Sequence, residues 1–313
     1  MHPEVVAVGR ISVDLYAREL HIGFEGQQSF TKSIGGSPTN VAVAAARLGR
    51  RSALVTKVGD DAMGRYATAR LRDFGVLTPF VGVQEGGQTP LALAALDPPE
   101  TPQVAFYRDP AAPDTRLEVT DLPEDVVVGC GLLWMSLGAL AVGPTAASSR
   151  TWLAMRSRMA HTVLDLDYRP ALWSGVEAAR SSAAEAISMS TVVVGNLDEC
   201  DMALQTRDPD EAADRLLDRG VELAIVKMGA DGALFASRSG RWAVAPVPIE
   251  VVCGLGAGDA FGGALAHGLL ADWDVAAIGR FASAAGAYVA SRLTCADDMP
   301  TEANVRELMG ESA

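Results

Sequence analysis

Residues 253–268 read CGLGAGDAFGGALAHG, six glycines and one acid, Asp259, opening a run whose apolar spacing is otherwise helical. Gly254, Gly256 and Gly258 precede that run, so they stand where a strand-following loop turns into a helix N-terminus. The first N–H groups of a helix have no partner within it. Glycine lets such backbone approach a bound anion closely, and the helix dipole adds roughly half a positive charge, so the corner suits a phosphate in transfer. Asp259, in the first turn, is placed to accept the proton of a hydroxyl that attacks this phosphate. The same residues also describe an ordinary glycine-rich corner with an acid in its first turn. The G-x-x-x-x-G-K-[ST] fingerprint is absent, and a dinucleotide G-x-G-x-x-G would open the first βα unit rather than the last.

Upstream of this corner, short β-branched runs alternate with longer helical patterns: VVAVG (5–9), PTNVAVAAARLG (38–49), ALVTKVG (53–59), DAMGRYATARLRDFG (61–75), LLWMS (132–136), TVLDLD (162–167), TVVVG (191–195) and ELAIVK (222–227). The alternation predicts a mainly parallel sheet with helices on both faces. Residues about 11–34 and about 80–108 break it with short alternating segments and no helices between them. They are expected to form a small antiparallel sheet standing off the main one, with DPPETPQ (97–103) as a turn between two of its strands. A chain of 313 residues with 49% apolar side chains can bury a large core, and one domain spanning 1–313 is expected. A net charge of −13 argues against nucleic acid as a partner. Four cysteines without a C-x-x-C pair suggest neither zinc nor a disulfide framework. With no leader-like N-terminus and no apolar run of spanning length, a cytoplasmic protein away from membranes is expected.

A second glycine motif, IGGSPTNVAVAAARLG (34–49), also sits at a strand-to-helix junction. Together with GAGDAFGGALAHGLL (256–270), KVGDDAMGRYATARLRDFGV, VVVGNLDEC and AIVKMGADGAL, it resembles the ribokinase-like carbohydrate kinases, the PfkB family, over nearly the whole chain. That resemblance implies a three-layer α/β/α sandwich with a small β-sheet lid. It implies ATP and Mg2+ as well, with transfer of the γ-phosphoryl group to a sugar hydroxyl. Residue by residue, Asp14, Gly35, Gly36 and Asn40 match the sugar contacts. Gly256, Ala257 and Gly258 match the anion-hole amides, and Asp259 matches the base. Asn196, Lys227, Gly229 and Gly232 match the nucleotide side, and Glu199 matches the residue that organises the Mg2+ waters. Asn196 followed by Glu199 is equally a helix-capping pair. Two departures stand out. Cys253 and Gly254 occupy the places of an Asp-Thr belonging to a monovalent-cation site, which argues against a potassium requirement. Ser283 stands where an asparagine beside the nucleotide is common.

Specificity has to come from other residues, because this fold serves many acceptors. Arg108, in AFYRDPAAPD, and Arg169, in LDLDYRPALW, offer planar donor forks that match a carboxylate, so an acidic sugar is the expected substrate. Taken singly, Arg169 can instead pair with Asp165 or Asp167, and Arg108 can be a solvated lid residue. The two stretches resemble the keto-deoxy sugar-acid kinases of the family, with Asp167 where one branch has asparagine. A nucleoside kinase gives the arginines no role, and a non-catalytic sugar-binding regulator would not need Asp259. Apolar lid residues Leu91, Leu93 and Leu96 are compatible with a homodimer formed through the lid.

Overall fold

The computed structural model describes residues 2–311. Its strands are β1 (Val5–Val8), β2 (Ser12–Leu20), β3 (Phe30–Gly35), β4 (Ser52–Gly59), β5 (Val81–Gln84), β6 (Leu91–Leu96), β7 (Gln103–Tyr107), β8 (Leu132–Ser136), β9 (Thr162–Asp165), β10 (Val192–Asn196), β11 (Leu223–Lys227), β12 (Ala233–Ser237) and β13 (Gly240–Val244). Nine of them form one sheet in the order β13-β12-β11-β10-β9-β8-β1-β4-β5, parallel except for the β11–β12 and β12–β13 pairings. Successive residues of β1 face opposite cores, Val5 and Ala7 one and Val6 and Val8 the other. Both faces are covered, which is why the central strands read as unbroken apolar runs rather than alternating ones.

The remaining four strands form a smaller sheet, β3-β2-β6-β7. Its outer pairings are antiparallel, whereas its central pair, β2–β6, is parallel. The expected lid segment at 80–108 begins too early. Val81–Gln84 joins the main sheet as a parallel partner of β4, and the small-sheet strands start only at Leu91. Leu96 is buried and Leu91 and Leu93 are half-buried, so the exposed large apolar side chains of this sheet are Leu20 at the end of β2 and Phe106 and Tyr107 on β7 instead.

Two helices carry the glycine motifs. Ser37–Arg47 follows β3, with Gly36 as N-cap, and Ala257–Leu270 starts from Gly256. Gly258 lies inside the first turn of the second helix rather than before it. A Cβ at Gly263 would collide with Ala44, and one at Gly262 would press on Trp134 and Val41. The later glycines of the quoted stretch therefore serve close helix packing, and that packing draws the N-termini of the two motif helices together.

Candidate active site

The site lies beyond the carboxyl ends of β1, β8 and β9. Strand order reverses there, since the chain passes from β1 to β4 on one side and returns to β8 on the other. Such switch points leave a crevice in open α/β sheets. Here the crevice is a cavity of about 560 Å³ roofed by β6 and β7. Among its walls are Arg10, Asp14, Gly36, Asn40, Arg108, Arg169, Gly256 and Asp259.

The two glycine motifs meet at a hydrogen bond: Asn40 Nδ2 donates to Asp259 Oδ2 at 2.8 Å, across 219 residues of sequence. Asp259 is the third residue of its helix, at the positive end of the dipole. Burial dominates nonetheless and pushes its carboxyl up to about 6, against the lowering by Asn40. A base poised near the working pH is what proton removal from a hydroxyl requires.

Asp14 lies within β2, with Ser12 Oγ donating to Oδ1 at 2.6 Å and Tyr16 Oη to Oδ2 at 3.1 Å. Burial raises it too, to about 6. A Cβ at Gly35 would overlap this carboxylate, so the glycine is what leaves Asp14 its room. A Cβ on Gly36, at φ +98°, would strike the Arg10 carbonyl. Gly256, at φ +78°, holds the left-handed N-cap that turns the loop into the helix, and a Cβ there would lie 2.5 Å from Cys295 Sγ.

Lys227 ends β11 beside this helix start, 3.2 Å from where a Cβ of Gly258 would be. Burial alone would lower its pKa, but Asp165, Glu199 and Asp259 together raise it, so the ammonium stays charged. Asn196 and Glu199 form the capping pair: Asn196 Oδ1 accepts from the Glu199 amide at 2.9 Å, and Glu199 Oε2 from the Asn196 amide at 2.7 Å. These two residues and Arg169 border a second concavity of about 420 Å³. Gly229 and Gly232 have φ +60° and +89° in the turn between β11 and β12, and Ser283 is half-buried on Val275–Ala290. These three residues line neither concavity.

The arginines are paired. Arg108 places both terminal nitrogens on Asp114, Nη1 at 2.8 Å from Oδ2, and Asp114 also accepts from the Ile11 amide at 3.2 Å. Arg108 is therefore not a solvated residue but a tie between the return from β7 and the loop after β1. Arg169 Nη2 lies 3.1 Å from Asp167 Oδ1, the ion pair its sequence neighbourhood allowed. Asp167 has a further partner that sequence reasoning missed, Arg10, 2.5 Å from Oδ2. Burial would raise Asp167, but Arg10 and Arg169 outweigh it and hold the carboxyl below its usual value. The one available signal was position, since Arg10 is a cation directly after the first strand and its glycine. Tyr16 and Cys295, 2.9 Å apart and both on the cavity wall, were also not anticipated.

A glycine-capped helix start, a buried carboxylate with a raised pKa in its first turn and a cavity of this size beside them suit a phosphotransferase of the α/β sandwich class. The pfkB family carbohydrate kinase profile matches residues 2–302, and the chain belongs to that family. A 5-dehydro-2-deoxygluconokinase of Geobacillus kaustophilus is 33% identical over 315 residues, covering 98% of this chain and 93% of that protein. The 5-dehydro-2-deoxygluconokinase 2 of Bacillus cereus is 32% identical over 316 residues, 98% of this chain and 94% of that protein. Among solved structures, a fructokinase from Vibrio cholerae with fructose, ADP and calcium bound has a TM-score of 0.85 at 26% identity, covering 97% of this chain and 98% of that one. A putative ribokinase II from E. coli with ATP and Mg2+ shares the fold, at TM-score 0.89 and 20% identity, over 98% of this chain and 99% of that one. This protein is thus a carbohydrate kinase, of a family that takes ATP, a divalent metal and a sugar as its small-molecule partners. No helix among the described residues is long and apolar enough to cross a membrane.

Proposed function

We propose that this kinase phosphorylates the terminal hydroxyl of a sugar acid, 5-dehydro-2-deoxygluconate. The observation that carries the reading is the single cavity that joins the Asn40–Asp259 pair at the glycine helix start to the arginine-lined wall. The names of the relatives at 33% and 32% identity support the particular acid. Asp14, Gly35, Gly36 and Asn40 hold the sugar hydroxyls, and Arg169 and Arg108 stand at the acidic end. Asp259 takes the proton of the terminal hydroxyl, whose oxygen bonds to the γ-phosphorus of ATP. The bond from that phosphorus to the bridging oxygen breaks, and ADP leaves. The amides of Gly256, Ala257 and Gly258 meet the charge on the transferring group.

Lys227, Asn196, Gly229, Gly232 and Ser283 serve the nucleotide side. Among the described residues no three acidic, histidine or cysteine side chains cluster into a metal cage. Glu199, buried beside Lys227, fits a Mg2+ held chiefly by phosphate oxygens and water. When bound, the ion supplies charge neutralisation to the phosphates. The small sheet acts as a lid, and four buried, unpaired cysteines suit the reducing cytoplasm where ATP is made.

The test is an ADP-release assay over sugar acids, neutral sugars and nucleosides. Highest kcat/KM is expected on 5-dehydro-2-deoxygluconate. Preference for 2-keto-3-deoxygluconate would move the chain to that acid, and equal turnover of ribose or fructose would end the acid assignment.

A further inference from the structure

Three arginines line the cavity, and they do not offer the same charge. Arg108 is matched one to one by Asp114, a carboxylate fully shielded from solvent, so that pair is neutral. Asp167, by contrast, is shared: Arg10 takes Oδ2, together with Ser136 Oγ at 3.1 Å, and Arg169 takes Oδ1. Two cations thus share this one carboxylate, and Arg10 reaches it from the loop after β1 while Arg169, which Asp165, Glu199 and Asp259 also attract, reaches it from the other side. The donors of Arg10 are also underused. Nη2 has Asp167, whereas Nη1 is buried against Gly138 with no acceptor among the described residues. A buried charged donor without an acceptor is expensive to keep, and a turn of the guanidinium away from Gly138 toward the cavity that Arg10 lines would let a ligand oxygen relieve it.

We propose that Arg10 is a specificity-determining residue of this kinase, which with Arg169 across Asp167 holds the carboxylate of the sugar acid, while Arg108 mainly ties the β7 return to the loop after β1. The inference rests on the sugar-acid reading and adds to it which cation does the selecting. Gly138 belongs to the same device, since any Cβ there would occupy the space of Arg10 Nη1.

The experiment compares wild type, Arg10→Met, Gly138→Ala and Arg108→Met by steady-state kinetics on 5-dehydro-2-deoxygluconate and on fructose as a neutral acceptor, with ATP varied separately. Arg10→Met is expected to raise KM for the acid roughly 10- to 100-fold, as loss of a charge-assisted contact does, with kcat and the KM for ATP within about threefold. Gly138→Ala should shift the same parameter in the same direction, and Arg108→Met should move acid and neutral acceptor alike. A purely structural Arg10 would lower kcat/KM equally for both acceptors, and that result overturns the inference. Should Arg10→Met fail to fold, Arg10→Lys carries the test, because it keeps the charge and loses the planar fork: an unchanged acid KM overturns the proposal and a raised one supports it. If wild type itself shows no preference for the acid, the sugar-acid reading fails. If wild type prefers the acid and the Arg10 variants keep that preference, only the present inference fails.

Discussion

Asp259 is held where a carboxylate is costly. Its carboxyl rises from the ordinary 3.8 to about 6 because burial disfavours the charged form. A carboxyl with a raised folded-state pKa binds its proton more tightly folded than unfolded. The cost of ionising it is absent below the unfolded value, builds through the window from 3.8 to about 6, and is complete above that. At neutral pH it amounts to about 3 kcal/mol. Asp259→Asn should therefore raise the melting temperature at pH 8 and do so less at pH 5, while turnover falls about 10²- to 10⁴-fold for want of a base. A variant with wild-type turnover would make Asp259 a helix-start residue and nothing more. The same window sets the pH profile: kcat/KM for the sugar should fall on the acid side of about pH 6, where Asp259 and Asp14 both take up protons. Asp259, Asp14 and Asn40 could be found by reading, because each sits inside a short motif. Arg10 offered only its position after the first strand, because what gives it meaning is a carboxylate 157 residues away.

The motif helices do more than present their first turns. Ala257–Leu270 and Ser37–Arg47 touch at Gly263 and Ala44, and this contact sets the distance over which Asn40 reaches Asp259. Gly263→Ala improves helix propensity by about 1 kcal/mol, yet its Cβ would run into Ala44 Cβ and the Ala45 backbone. Overpacking of this kind costs about 1–3 kcal/mol and is relieved by moving one helix off the other. The expected result is a lower melting temperature together with a kcat reduced more than tenfold, because Asn40 and Asp259 separate. Unchanged kcat in a destabilised variant would show that the helix contact and the site are independent. Elements were legible to the extent that their packing was local. Runs such as LLWMS and TVVVG, buried on both faces, appear where expected, as β8 and β10. Val81–Gln84 was assigned to the wrong sheet because four residues carry no sign of which edge they will join. The parallel β2–β6 pairing escaped for the same reason, since strand direction within a sheet is decided by distant partners.

At the scale of the molecule, the small sheet and the phosphate end are in physical contact. The loop between β6 and β7 reaches over to the glycine corner, where the Gly254 amide donates to the Pro99 carbonyl at 2.8 Å. A Cβ on Gly254 would strike the Glu100 carbonyl. On the other side Ser33 donates to Asp297, which also pairs with Arg70, so β3 is tied to the segment after Val275–Ala290. If the small sheet closes as a lid, a sugar that draws down β6 and β7 also settles the loop that cradles the phosphate, and the acceptor helps assemble the transfer site. Hydrogen exchange gives the test. Sugar alone should slow exchange in 97–108 and in 252–258 together, although the cavity-lining side chains lie mostly in the first of these stretches. Gly254→Ala should keep the fold but push the β6–β7 loop away, so that protection of 252–258 by sugar is lost and KM rises for sugar and ATP alike. Protection confined to 97–108 in wild type would mean that the small sheet responds to sugar without informing the phosphate end, leaving the Gly254 contact a fixed feature of the fold.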